Sequence, residues 1–77
     1  MRITGTQYSL SKKQGILELT YQGRSVDKFE YIGKTVREMT DEIWRSLKLK
    51  GTVVNKDNLQ ATIQELFPNI RRHGPLK

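Results

Sequence analysis

The side chains best able to do chemistry in this chain are its cations. Fourteen Lys and Arg stand against eight Asp and Glu, a formal charge of +6 on 77 residues. The other reactive types are scarce. There is no cysteine, which excludes disulfides, thiolate nucleophiles and zinc-finger spacings. The one histidine, His73, follows Arg71 and Arg72 near the end of the chain, where nothing would hold its ring for general acid–base work. Glu38 and Glu42 are one helical turn apart, but two surface carboxylates without further oxygen ligands are ordinarily a solvated face. Gly33-Lys34-Thr35 lacks the preceding glycine and loop of a phosphate-binding P-loop. No nucleophile, base, metal-ligand set or cofactor motif emerges, so the expectation is a non-enzymatic protein without cofactor or metal.

Ten of the fourteen cations fall in three groups. Lys12, Lys13 and Arg24 flank two glycine turns. Arg45, Lys48, Lys50 and Lys56 surround a central connection, and Arg71, Arg72 and Lys77 end the chain. Such a balance attracts polyanions, of which nucleic acid is the commonest, through Lys and Arg contacts to phosphate. The plainer reading of the same charge is solubility. Acidic protein surfaces are the other class of partner, and for these Trp44, Val53 and Val54 are the candidate anchors.

Other surfaces argue less. Alternation places Gln7, Ser9, Glu18, Thr20, Lys28 and Glu30 on one sheet face, where the two glutamates oppose a phosphate backbone. Asn58, Gln60, Gln64 and Glu65 suggest a reading helix, but the connection over residues 48–56 is too long for a helix-turn-helix. Tyr8, Tyr21 and Tyr31 share the phase of Leu10, Leu17, Leu19 and Phe29, which assigns them to a core and not to base stacking.

The elements that must position these residues follow from periodicity. Between glycines at 5, 15, 23 and 33, apolar residues alternate with polar ones, giving three strands joined by hairpin turns at Ser11–Gly15 and Gln22–Ser25. After Gly33 the period becomes helical. Val36, Met39, Ile43 and Leu47 form a stripe with Trp44 on its flank, Thr35 and Glu38 spell a capping box, Asp41 and Arg45 have ion-pair spacing, and the helix is expected to end near Lys48. A second helix is expected from Asp57, capped by that residue, with Leu59, Ile63, Leu66 and Phe67 on one face and Pro68 as its stop. Whether Val53-Val54 adds a strand is open.

The expected fold is therefore α+β: a three-stranded antiparallel β-meander covered on one face by two C-terminal α-helices (β-β-β-α-α), in two layers. One domain spans residues 1–70, and residues 71–77 form a basic flexible tail. Neither an apolar leader nor a membrane-length apolar run is present, so a cytoplasmic protein without membrane contact is expected, as monomer or homodimer. The functional expectation is a small basic module that binds DNA, RNA or a nucleoprotein complex. The alternative is a regulatory inhibitor or adaptor that binds protein, resembling in size and charge the small accessory proteins of bacteria and their phages.

Overall fold

The computed structural model describes residues 1–70 and 74–77. It contains strands β1 (Tyr8–Lys13), β2 (Ile16–Tyr21) and β3 (Arg24–Glu30), then helices α1 (Val36–Leu49) and α2 (Lys56–Leu66). The strands form one open antiparallel sheet in the order β1-β2-β3, as the alternation implied. Both hairpin turns are tighter than expected. Lys13 pairs with Ile16 and Tyr21 with Arg24, leaving only Gln14-Gly15 and Gln22-Gly23 to turn the chain. In the second turn both residues have positive φ, 50° at Gln22 and 83° at Gly23. That backbone matches the twist of the strands it joins, but it places a glutamine where Asn or Gly is preferred.

Register decides which side chains face the helices. Leu10 opposes Leu19, and Leu17 opposes Phe29, on the covered face; Ser9 opposes Thr20, and Glu18 opposes both Ser11 and Lys28, on the open one. A bulge interrupts β3: Leu19 pairs with Asp27 and Thr20 with Ser25, so Val26 is an extra residue without a partner on β2. The extra residue keeps Asp27 in phase with Phe29 on the helix side, whereas a count from Arg24 across the turn would have put Val26 there.

The helices run in opposite directions over the covered face, packed on each other, with α1 against β3 and α2 against β1. The α1 stripe is as read from the sequence, with Val36, Met39, Thr40, Ile43, Ser46 and Leu47 buried. The Thr35 hydroxyl accepts from the Glu38 amide, and the Glu38 carboxylate accepts from the Thr35 amide, completing the capping box. In α2 the cap lies two residues earlier than expected: the Asn55 side chain accepts from the Asn58 amide, and Asp57 is inside the first turn. Val53 and Val54 lie in irregular backbone and add no strand.

Two segments outside these elements complete the core. Ile3 is buried, its amide donates to the Tyr8 carbonyl, and the Leu10 amide donates to the Met1 carbonyl, so the first residues pair along the free edge of β1. At the other terminus, Leu76 is 1% exposed and exchanges backbone hydrogen bonds with the Gly33–Lys34 turn. The flexible tail expected over 71–77 is thus pinned at Leu76; Arg71, Arg72 and His73 lie outside the described residues. Tyr31 closes the same end. Its hydroxyl donates to the Lys13 carbonyl and accepts from the Gly15 amide, and its ring meets Phe67 edge-on at 4.9 Å.

Leu76→Ala is expected to cost about 2–3 kcal/mol, while removal of exposed Lys77 alone stays within about 0.5 kcal/mol, both read by urea denaturation. Gln22→Asn relieves a left-handed backbone position, and a gain of a few tenths of a kcal/mol in the same assay is the expected outcome.

Candidate functional site

The antiparallel arrangement of the helices sorts the cations into two ends. The β1–β2 turn, the start of α1 and the end of α2 share one end, where Tyr31, Phe67 and Leu76 pack. The end of α1, residues 50–55 and the start of α2 share the other with the β2–β3 turn. Two contacts join the parts of that second end: Lys50 reaches Asp27 of β3, and Thr52 lines a shallow depression of about 400 Å³ with Tyr8 and Tyr21. Lys12 and Lys13 are therefore separated from Arg24, Lys48, Lys50 and Lys56, which share the helix-turn end.

Several of these cations are already engaged. The Lys12 ammonium lies 4.7 Å from the Phe67 ring centroid, and Lys13 is 3.7 Å from Glu18 on the open sheet face. Lys50 donates to the Ser46 hydroxyl at 2.9 Å and lies 3.5 Å from Asp27. Lys56 is 3.4 Å from Asp41, which takes Asp41 from the Arg45 partner that helical spacing suggested. Lys34 pairs with Glu42 at 2.9 Å. Glu38 is in the helix cap and Glu42 is on Lys34, so these two carboxylates, one helical turn apart, each have a partner within the fold. Exposed pairs of this kind each contribute only about 0.2–1 kcal/mol, but they cancel charge locally.

What remains at the helix-turn end is organised around Trp44. This half-buried side chain donates its indole N–H to the Val54 carbonyl at 2.9 Å, which fixes the plane of the ring. The Lys56 ammonium lies over that ring at 4.6 Å and the Lys48 ammonium at 5.1 Å. Attraction of an ammonium to the electron-rich face is worth about 0.5–1 kcal/mol at an exposed site, enough to set a preferred rotamer and too little to lock one. Arg45 is exposed beside Trp44 on the same helix. Among the described residues, Arg24, Arg45 and Lys48 form no ion pair.

The apolar candidates separate. Val53 is 76% exposed, whereas Val54 is buried in the core, so Val54 cannot anchor a partner through its side chain; its carbonyl orients Trp44 instead. Leu49 was missed, although it is 88% exposed in the last turn of α1. The signal was available: position 49 lies outside the stripe of Val36, Met39, Ile43 and Leu47. Arg71 and Arg72 lie outside the described residues. Among those residues no cluster of His, Asp or Glu could hold a metal ion, and no helix is long and apolar enough to cross a membrane.

The Asp27 carboxyl is held below its ordinary 3.8, first by the hydrogen bond from the Ser46 hydroxyl at 2.8 Å; burial pushes the other way, and the Lys28 amide and the Lys50 ammonium add smaller lowering contributions. Comparison with protein-family models, with curated proteins and with solved structures gives no match.

A depressed folded-state pKa stabilises above the unfolded value, and the gain is lost as pH falls through the folded value. Wild type is expected to lose part of its stability advantage over Asp27→Asn between about pH 5 and about pH 2 in denaturant titrations. With the Asp27 side chain 38% exposed, the difference stays below about 1 kcal/mol.

Proposed function

We propose that this chain is a non-enzymatic binding module for nucleic acid, engaging phosphates with Arg45, Lys48 and Lys56 around Trp44, with Arg24 as an outlying contact at the same end. The observation that carries this reading is the gathering of Lys48 and Lys56 over one half-buried indole, next to Arg45, with Asp41, among the described residues, as the one acid in ion-pair contact with these three. Phosphate contacts need mobile cations whose counterions can be released; Arg45 and Lys48, exposed and without carboxylate partners among the described residues, meet that need. Lys13 and Lys50 meet it less well, each paired with a carboxylate; Lys56 has such a contact with Asp41 but stands beside Arg45 and Lys48, whereas Lys12, over the Phe67 ring, lies at the other end of the molecule. Arg71 and Arg72 belong to the reading through their charge and position in the sequence. A cytoplasmic setting, with no membrane partner, goes with it.

A second reading has its own observation. Leu49 and Val53 are exposed apolar side chains beside the same cations, and together with Trp44 they suit an acidic protein partner held by an adaptor or inhibitor. The two differ in salt response and in what is bound.

Labelled DNA and RNA oligonucleotides, single-stranded and duplex, titrated at several salt concentrations, test the leading reading. It expects binding at low salt that falls steeply as salt rises. Arg45→Gln and Lys48→Gln should each weaken binding and lower the salt slope by about 1. Absence of binding even at low salt overturns it, and retention of a protein partner after nuclease treatment would then favour the adaptor.

A further inference from the structure

Resting on the nucleic-acid reading, we propose that Trp44 is a stacking platform for an unpaired base, so that the preferred ligand is a single strand and not a duplex. Tyr31 and Phe67 are buried against each other, and Tyr21, expected in the core, is 38% exposed with its ring against Tyr8; Trp44 is half-buried and has on its ring the tips of two lysine side chains. Those tips are movable. Lys48 is exposed, and the Lys56 side chain is 53% exposed with one long carboxylate contact to Asp41. The ring itself is not movable, because its N–H is anchored on the Val54 carbonyl. A fixed aromatic plane under displaceable ammonium groups suits exchange: a base takes the face, and the lysines swing from the ring to the phosphates on either side of that base. A duplex offers the phosphates but keeps its base faces stacked, so it can use the cations and not the indole. Leu49 and Val53 give the neighbouring surface an apolar character that tolerates sugar and base edges.

Trp44 is the one tryptophan of the chain, so its fluorescence reports this site alone. The full chain is titrated at low salt with a labelled oligothymidine of about fifteen nucleotides and with a duplex of equal length, following oligonucleotide anisotropy and tryptophan emission together. The expected result is tighter binding of the single strand, with quenching that the duplex does not produce. Trp44→Phe, with its fold checked by circular dichroism, should weaken single-strand binding several-fold and leave duplex binding unchanged. Trp44→Ala, checked the same way, should weaken it roughly ten-fold. Equal affinity for both ligands with unchanged emission would overturn the stacking role and leave the nucleic-acid reading standing. Failure of both ligands to bind would overturn both. Unaltered single-strand affinity in folded Trp44→Phe and Trp44→Ala would also dispose of the platform.

Discussion

The burial of one sheet face sets everything else in this molecule. Three strands of six or seven residues present a single inner row, Leu10, Leu17, Leu19 and Phe29, and that row stays out of water only if both helices lie across it. Fully burying an aliphatic side chain of this size contributes about 1.5–3 kcal/mol, so losing either helix would expose more than a small domain can spare. Ile3 and Leu76 extend the same core from the two chain termini. Their backbone pairing is a consequence of that burial: Ile3 is drawn in along the edge of β1, and Leu76 against Gly33 and Lys34.

From this constraint the surface follows. A chain leaving β3 at one end must run α1 back across the sheet and return with α2, so the connection between the helices lies at the end opposite Gly33. Whatever residues the connection carries are displayed together there. In this sequence they are Lys48, Leu49, Lys50, Val53 and Lys56, and Trp44 of the last turns of α1 joins them through its bond to Val54. The free edge of the sheet is handled differently. The edge of β1 is covered by the first residues, whereas β3 carries a bulge and the charges Arg24, Asp27, Lys28 and Glu30, features that discourage another strand from pairing there.

Much of the fold was legible because periodicity is a local property. The switch from period two to the α1 stripe at Gly33, the capping box at Thr35, and the stop at Pro68 all operate over three or four residues, and the structure has each of them. The misreadings come from competition between residues of similar chemistry, or from contacts distant in sequence. Asn55 and Asp57 are both good caps, and geometry chose the earlier. Ile3 and Leu76 lie in segments with no period, so nothing local marked them as core. Val53 and Val54 are chemically alike, and only the path of the connection puts one inside and its neighbour in water. The bulge at Val26 has no signature in a strand reading of alternating residues; alternation from Phe29 puts Asp27 on the covered face, and its contact with Ser46, nineteen positions on, is what the sequence did not mark.

The charge was legible as a sum and not as a pattern. Lys13, Lys34, Lys50 and Lys56 each find a carboxylate, from Glu18, Glu42, Asp27 and Asp41, and three of those pairs join residues fifteen or more positions apart or bridge separate elements. A net +6 therefore does not spread as a uniform field. At physiological salt, charges more than about 8 Å apart are largely screened from one another, so a partner responds to the few cations near its own contact and not to the total. On that argument the composition of the whole chain describes its surface less well than the local balance around one indole, where Lys48 and Lys56 lie over Trp44 and Asp41 pairs with Lys56.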